Sequence, residues 1–297
     1  MSWENSIKEF KYYLRVERSL SKNTIEAYIR DLNKFSKFSK KNNLSVNVIT
    51  RENIQDFISL LNDENISART QARIISSLKS FFKFLIMEDY IIINPCQLIQ
   101  NPKIGFKLPD VLSIEEIDLI VTSIDNSTKH GQRNKTIIET LYSCGLRVSE
   151  LINLKISNIK FLEKYIKIIG KGSKERLTPI SSKCLKLLFI YINEIRTLKK
   201  IKLGNEDIVF LNNRGSQLSR EMIFTIVKNL VSNCGINKNV SPHTFRHSFA
   251  THLIEGGADL RAVQIMLGHE NITTTEIYTH LDNDYLRSNL MQFHPRS

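Results

Sequence analysis

The sequence predicts a mainly α-helical fold, with an N-terminal four-helix bundle and a larger, mostly helical domain that carries a small antiparallel β-sheet. Apolar residues recur at helical spacing along most of the chain. Residues 99–112 contain prolines and show no periodicity, whereas residues 165–180 are typical of a β-hairpin. The 297 residues are enough for two modest domains, at residues 1–98 and 113–297, with residues 99–112 as the linker.

Residues 1–98 are predicted to form four amphipathic helices that pack as a bundle. Ser21 is a suitable N-cap for the second helix, and Asn94 with Pro95 is predicted to end the fourth. Each helix has its own apolar stripe: Trp3, Ile7, Phe10 and Leu14; Ile25, Tyr28, Ile29, Leu32 and Phe35; Ile54, Phe57, Ile58 and Leu61; and Ile74, Leu78, Phe81, Phe82 and Leu85.

Capping and turn residues divide the second domain into further elements. Ser113 and Glu116 form a capping box that opens its first helix. A helix from Lys135 to Ser143 follows, and Gly145 is the glycine expected to end it. The later elements are a β-hairpin at residues 165–180 with its turn at 170–174, and helices at residues 181–200 and 219–234.

The composition favours a basic cytoplasmic protein. The net charge is +12 and the isoelectric point is near 9.5, which suits a nucleic-acid partner, although charge alone also fits a merely basic protein. The N-terminus is polar, and no apolar run approaches membrane-spanning length. The four cysteines lack metal-ligand spacing and are expected to be reduced: Cys96, Cys144, Cys184 and Cys234.

Residues 241–280 contain several side chains that are capable of catalysis. Pro242 begins a helix on which His243 and Arg246 lie three residues apart, and Tyr278 follows in a threonine-rich setting. Arginine binds phosphate in a bidentate manner, histidine transfers protons near neutral pH, and tyrosine is a competent nucleophile. This set suits attack on a phosphodiester better than attack on a carbonyl.

The same residues also fit simpler interpretations. His243 and His247 have the spacing of zinc ligands, but the segment HTFRH lacks the glutamate of HExxH and places a cation between them, so no metal is expected. His247 and His252 are predicted to be structural. Tyr278 by itself would be a packing residue, and only the combination points to catalysis.

HTFRHSFATHL followed by LGHENITTTEIYTH resembles the C-terminal signature of the tyrosine recombinases, the phage-integrase family. The signature is His-x-x-Arg, then Leu-Gly-His, then Tyr nine residues later. GLRVSEL resembles the first arginine motif of the family, and the GKGSK turn resembles the hairpin of its lysine. The ending FHPRS is similar to that of the Xer subgroup. The six positions that the resemblance makes catalytic are Arg147, Lys171, His243, Arg246, His269 and Tyr278.

The resemblance implies a role for each of these groups. Tyr278 attacks the scissile phosphate and leaves a 3′-phosphotyrosine, while Lys171 protonates the leaving 5′ oxygen. Arg147 and Arg246 neutralise the non-bridging oxygens. His243 accepts the tyrosine proton or holds the phosphate, and His269 assists by hydrogen bonding. No cofactor is implied, because the phosphotyrosine conserves the energy of the broken bond. From position alone, Glu150 can orient Arg147 through a buried pair.

Basic residues outside this set are candidates for DNA contacts. For any one of them a solvated face is the better explanation, but as a set they suit a DNA-facing surface. The resemblance makes residues 1–98 the core-binding, SAM-like domain that clamps one side of the duplex. The candidates are Lys22 at a helix start, Arg69, Arg73 and Lys79 on the fourth helix, and Lys174 and Arg176 in the hairpin.

The predicted function is site-specific recombination of double-stranded DNA through a Holliday junction, serving chromosome-dimer resolution at cell division. The implied partners are a recombination site, three further protomers of this chain or of a paralogue, and a DNA translocase. Alternatives left open are a phage or mobile-element integrase, a type IB topoisomerase-like enzyme that relaxes DNA, and a non-enzymatic DNA-binding protein.

The segment after Tyr278 is predicted to be an amphipathic helix. Its apolar residues recur at helical spacing among charges, so the helix needs a surface to cover. The sequence leaves two surfaces open, its own domain or a neighbouring protomer. The resemblance favours the neighbour. The apolar positions are Leu281, Tyr285, Leu286, Leu290, Met291 and Phe293.

Overall fold

The computed structural model describes residues 2–105, 110–128, 130–170, 175–198, 200–268 and 280–297, with the side chains of residues 280–283 left out. The chain divides into two compact units, Met1–Lys107 and Leu108–Ser297. Helices dominate both units, and a small antiparallel sheet lies in the second, which confirms the predicted fold class. Within the described ranges, no helix has the length and apolarity needed to cross a membrane.

The first unit contains the four predicted helices. Each begins after a serine or threonine whose side chain accepts a hydrogen bond from a backbone amide in the first turn. The fourth helix ends at Met87, with Asp89 in the left-handed region (φ 56°), so the prediction that Asn94 and Pro95 end it was wrong. The bounds are α1 Trp3–Val16, α2 Lys22–Lys41, α3 Arg51–Asp63 and α4 Ala68–Met87.

Aromatic side chains fill the core of this bundle. Phe10, Phe35 and Phe81 are fully buried, and Phe35 meets Phe57 edge to face with ring centroids 5.0 Å apart. The ring of Trp3 contacts this cluster while its Nε1 donates to the carbonyl of Leu44 at 3.0 Å. Because the apolar faces of the four helices pack into this core, their basic residues lie outside it.

The second unit surrounds a central helix, since ten of the 13 residues of α6 are buried. The predicted helices are present, although the one predicted at residues 181–200 changes to a π turn at Tyr191–Ile195 and a 3-10 turn at Arg196–Leu198. The bounds are α5 Ile114–Thr122, α6 Gly131–Ser143, α7 Val148–Ile152, α8 Ser182–Ile190, α9 Arg220–Asn233, α10 Pro242–Gly256, α11 Leu260–Leu267 and α12 His280–Phe293.

The predicted hairpin forms two strands of a three-stranded antiparallel sheet. The strands are β1 Ile159–Lys160, β2 Tyr165–Ile169 and β3 Glu175–Pro179, in the order β1-β2-β3. In the β2–β3 register, Ile168 lies opposite Arg176. β1 was not predicted, because two residues are too short to show an alternating pattern. Residues 171–174, where the turn was predicted, lie outside the described residues.

The C-terminal helix α12 packs on its own domain in the single chain. Leu286 and Leu290 are buried in the core of the second unit, and the backbone amide of Asp259 donates to Asn289 at 2.9 Å. This is the first of the two surfaces that the sequence left open, and docking on a neighbouring protomer, which the resemblance favoured, stays a prediction. The described part of α12 therefore completes the core of the domain.

The last residues of the chain supply charge to a buried carboxylate on α6. Glu139 is fully buried, and Nε of Arg296 lies 3.3 Å from its Oε2. Arg296 also pairs with Asp118 and lies over the ring of Tyr142. His294 is buried beside them; burial, and then the positive charges nearby, lower its pKa to about 3, so it is neutral at pH 7. These contacts fasten the chain end to the central helix.

We expect Arg296→Met to destabilise the protein by about 3 to 5 kcal/mol, because removing one partner of a buried ion pair leaves the other uncompensated. The control is Lys183→Met, since the Lys183 side chain is half exposed and lies 3.6 Å from Glu139, and its loss should cost less than about 1 kcal/mol. Urea unfolding of both variants at pH 7 measures the difference. Equal effects would show that Arg296 is not the counter-charge of Glu139.

Candidate active site

Arg147 lies in the tight connection between α6 and α7. Gly145 ends α6 with φ 56°, and a Cβ there would lie 2.5 Å from the ring of Phe249, so a glycine is needed for this close approach. Arg147 then caps α7: its backbone N–H donates to Glu150 Oε2 and its Nη1 donates to Glu150 Oε1, both at 2.8 Å. The Arg147 side chain remains 34% exposed, so a phosphate can reach it.

Helix α10 carries the second arginine. Ser241 and Thr244 form its capping box, and Pro242 is its first residue, as the sequence predicted. Arg246 is buried, and its Nη1 donates to the carbonyl of Gly145 at 2.7 Å. His243 lies one turn earlier on the same helix and is exposed. The capped start of α10 thus places an imidazole and a guanidinium at the same end of one helix.

Three arginines converge on the C-terminal end of α11. The last carbonyls of a helix lack partners within the helix and carry partial negative charge. Here three successive carbonyls each accept from a different arginine, brought from β3, α10 and the α6–α7 connection. The bonds are Arg176 Nε to Met266 O at 2.9 Å, Arg246 Nη2 to Leu267 O at 2.5 Å, and Arg147 Nη2 to Gly268 O at 3.0 Å.

Glu150 supplies the carboxylate at the centre of this cluster. Its side chain is 3% exposed and receives both terminal nitrogens of Arg176, at 2.7 and 2.8 Å, in addition to Arg147. Burial alone would raise the pKa of Glu150, but hydrogen bonds and charge from Arg176, and then from Arg147, lower it below its usual value. The carboxylate is therefore ionised at neutral pH.

The cluster has more positive than negative charge. Three guanidinium groups meet one carboxylate, and Arg246 Nη1 lies 3.9 Å from Glu150 Oε2. Burial, followed by the charge of Arg147, lowers the pKa of Arg246 to about 10, which still leaves it protonated at pH 7. A site with surplus cations, one of them partly exposed, is suited to an anionic group such as a phosphodiester.

Of the six predicted catalytic residues, the structure brings Arg147 and Arg246 into one cluster and places the exposed His243 one turn before Arg246 on α10. The other three predicted catalytic positions lie outside the described residues, as does the DNA-contact candidate Lys174. They are Lys171, His269 and Tyr278.

The predicted DNA contacts in the first unit differ in their surroundings. Lys22 is exposed in the first turn of α2, and Arg69 is exposed near the start of α4. Lys79 is half-buried. Arg73 is exposed but pairs with the buried carboxylate of Asp31. Lys22 lies 4.0 Å from the exposed Glu26, whereas the charge of Arg73 is partly satisfied by a buried carboxylate. The DNA contacts of these four residues stay predictions.

The assignment of Arg176 as a DNA contact needs correction. Its side chain is 8% exposed, and all three guanidinium nitrogens donate to protein acceptors. It is thus a component of the buried cluster that sequence reasoning missed. A signal was available, because strand alternation puts Arg176 on the same face as Thr178 and Ile180, which are both buried.

The family models cover both units. The model described as "Phage integrase family" matches residues 110–284, and the model described as "Phage integrase, N-terminal SAM-like domain" matches residues 7–89. The chain belongs to the phage integrase family and is a tyrosine-type, site-specific DNA recombinase that breaks and rejoins DNA strands.

Individual relatives agree with this class. "Tyrosine recombinase XerD" of Staphylococcus haemolyticus (strain JCSC1435) is 41% identical over 295 residues, which cover 99% of this chain and 100% of the relative. The same name, identity and coverage apply to a protein of Staphylococcus aureus (strain Mu50 / ATCC 700699). The predicted family, and the predicted similarity to the Xer subgroup, are confirmed.

Solved structures share the fold. The XerH site-specific recombinase bound to palindromic difH substrate, a post-cleavage complex, is 28% identical with a TM-score of 0.73, covering 95% of this chain and 83% of that chain. The Tn1549 transposon integrase in complex with transposon right end DNA is 20% identical with a TM-score of 0.74, covering 96% and 99%. At that identity the second likeness shows the fold alone.

We expect Glu150→Gln to lower the free energy of unfolding by about 3 kcal/mol or more at pH 7, because the buried guanidinium groups lose their carboxylate. Since the folded pKa of Glu150 is depressed, its stabilisation is fully present above pH 4.5 and is lost as the pH falls through the folded pKa. The gap between wild type and variant should therefore shrink below pH 4.5, by up to about 1.4 kcal/mol per pH unit. Urea titrations at pH 7 and at pH 3.5 measure it.

The matched control is Glu175→Gln on the β2–β3 hairpin, where an exposed carboxylate pairs with Lys167 at 2.8 Å. That substitution should cost less than about 1 kcal/mol at either pH. A Glu150→Gln variant as stable as this control at pH 7 would contradict the role of Glu150 as the counter-charge.

Proposed function

We propose that this recombinase exchanges DNA strands through a 3′-phosphotyrosine at Tyr278, with Arg147 and Arg246 binding the scissile phosphate. The observation that carries the proposal is the arginine cluster at the end of α11. Its guanidinium groups are held in place before any substrate binds, and Arg147 stays partly exposed. Preorganised donors of this kind stabilise charge on the non-bridging oxygens of the transition state without reorganisation.

The chemical step balances without an external energy source. The phenolic oxygen of Tyr278 forms a bond to phosphorus, the bond from phosphorus to the 5′ oxygen breaks, and Lys171 donates a proton to that oxygen. His243, one turn before Arg246 on α10, accepts the tyrosine proton or holds the phosphate, and His269 adds a hydrogen bond. Attack by the 5′-hydroxyl of a partner strand reverses the step and releases Tyr278. The roles of Lys171, His269 and Tyr278 rest on their positions in the family signature.

The two units take different parts in this proposal. Residues 1–98 form the DNA core-binding domain, residues 99–112 the linker, and residues 113–297 the catalytic domain. The matches of two separate family models, at residues 7–89 and 110–284, support this division. The basic side chains that we assign to phosphate contacts are Lys22, Arg69 and Lys79 in the first domain, and Lys174 in the second.

The biological reaction that we propose is resolution of chromosome dimers at cell division, by two rounds of strand exchange through a Holliday junction. The support is the identity to proteins named XerD and the likeness to XerH bound to a difH substrate. The working assembly is a tetramer on two DNA sites in the cytoplasm, formed with itself or with an XerC-like paralogue, and a DNA translocase is a further partner. Covalent trapping followed by sequencing of the recovered genomic DNA identifies the site.

A type IB topoisomerase-like activity is the rival that shares this chemistry, because it forms the same bond but rejoins the same strand. A plasmid with two copies of the recovered site separates the rivals. Recombinase activity changes the connectivity between the copies, whereas relaxation of supercoils with unchanged connectivity would contradict our proposal.

We expect Tyr278→Phe to retain DNA binding and to form no covalent adduct, because only the attacking oxygen is removed. The control is Tyr285→Phe, since Tyr285 is exposed on α12 and lies seven residues later in the chain. Denaturing gels on a nicked duplex detect the adduct, and gel shifts measure binding. An adduct that persists in the Tyr278→Phe variant would rule out this nucleophile.

We expect a substrate with a 5′-bridging sulfur to restore most of the cleavage that Lys171→Ala loses, because a thiolate leaves without a proton. The same substrate should not rescue Arg246→Ala, whose missing charge acts on the non-bridging oxygens. Single-turnover cleavage of both substrates by both variants gives the comparison. Equal rescue of the two variants, or rescue of neither, would remove Lys171 from the role of general acid.

A further inference from the structure

The positive charge of Arg176 is paired within the protein. Its two terminal nitrogens bind the two oxygens of Glu150 in bidentate geometry, and its Nε binds the carbonyl of Met266 at 2.9 Å. An arginine so engaged has no free face for a phosphate. Its effect on the reaction, if it has one, must pass through the groups that it holds.

The carboxylate of Glu150 is divided between two arginines. Arg176 takes both oxygens, while Arg147 approaches the same two oxygens through its Nη1 and its backbone N–H. As long as Arg176 neutralises most of the carboxylate charge, Arg147 keeps charge available for a phosphate. Without Arg176, the buried carboxylate would have Arg147 as its nearest cation and would draw it inward.

Arg176 also braces the chain where α11 ends. Gly268 has φ 65°, and a Cβ at this position would lie 3.0 Å from Cδ and 3.2 Å from Nη1 of Arg176. Glycine thus lets the backbone lie against the guanidinium. His269 is the next residue in the sequence, so Arg176 fixes the last described point before the segment that carries His269 and Tyr278.

The third connection is through the sheet. Arg176 is the second residue of β3 and lies opposite the buried Ile168 of β2. Lys171 belongs to the segment that joins β2 to β3 in the sequence. One side chain therefore ties together the hairpin, the α6–α7 connection and the end of α11, three of the segments that carry or adjoin the proposed catalytic groups.

We propose that Arg176 is a positioning residue for the strand-cleavage reaction, holding Glu150 so that Arg147 remains available to the scissile phosphate and joining the hairpin to the end of α11. The proposal rests on the function proposed above, because it assigns Arg147 to the phosphate. It replaces the role of DNA contact with one that requires Arg176 to be buried.

The test uses the full chain on a nicked duplex that carries the site recovered by covalent trapping. The variants are Arg176→Met, Arg176→Lys and, as the matched control, Lys167→Met, which removes one exposed cation from the neighbouring strand. Arg176→Met should bind the duplex within about threefold of wild type and form adduct about 100-fold more slowly, the scale of a loss of alignment. Arg176→Lys, which restores charge without the bidentate geometry, should fall between the two, and Lys167→Met should match wild type.

A second substrate distinguishes positioning from general damage to the fold. In a methylphosphonate a methyl group replaces one non-bridging oxygen, so the phosphate charge that Arg147 must meet is absent. If Arg176 acts through Arg147, the loss in Arg176→Met relative to wild type should shrink at least fivefold on this substrate. A variant that is only less folded would lose the same factor on both.

Each outcome of these measurements leads to a different conclusion. Wild-type rates in Arg176→Met, or an equal loss on both substrates, would overturn the positioning role. If Arg176→Met fails to fold in a thermal melt, the same comparison is made with Arg176→Lys, and an equal loss on both substrates overturns the role there too. If wild type traps no genomic DNA as a covalent adduct, the proposed function itself has failed, and the role of Arg176 falls with it.

Discussion

The arrangement of the arginine cluster in the second unit depends on the ion pairing of its guanidinium groups with the buried carboxylate of Glu150. Guanidinium groups repel one another, and bringing several together away from water is unfavourable unless a counter-charge and hydrogen-bond acceptors are present. Glu150 supplies the charge, and the last carbonyls of α11 supply acceptors that already carry partial negative charge. The cluster is held together by this carboxylate and these carbonyls, which need hydrogen-bond donors once they are buried.

Close backbone approach makes this convergence possible. Gly145 lets the α6–α7 connection pass against Phe249 of α10, and Gly268 lets the end of α11 lie against Arg176. A side chain at position 145 would push apart the α6–α7 connection and α10, which both deliver arginines, and one at position 268 would crowd the side chain of Arg176. The two glycines therefore contribute to the site by allowing close packing and not by supplying a side chain.

A second buried ionic cluster, also towards the C-terminal end of α6, holds the chain terminus. Glu139 and Tyr142 on α6 meet Arg296 and His294, which follow α12. The helix that leads into Arg147 is thus bonded to the segment that follows Tyr278 in sequence.

The sequence by itself determined the features that depend on local spacing. Capping residues and apolar stripes placed the starts of α5 and α10 and the four helices of the bundle, because such signals lie within one helical turn of the feature they specify. The family motif likewise selected Arg147 and Arg246. The prediction of the end of α4 was wrong. This helix ends at Met87 and not at Asn94 and Pro95, because Asp89 adopts a left-handed conformation that stops the helix without a proline.

Only the tertiary structure decided how distant residues divide their partners. Arg176 looks like a surface cation in the sequence, and its burial follows from a carboxylate 26 residues earlier and a helix end 90 residues later. The cis packing of α12 and the pairing of Arg296 with Glu139 are of the same kind. A periodic pattern shows that a helix needs a surface or a charge needs a counter-charge. It does not specify which one, because that choice depends on which elements the folded chain brings together.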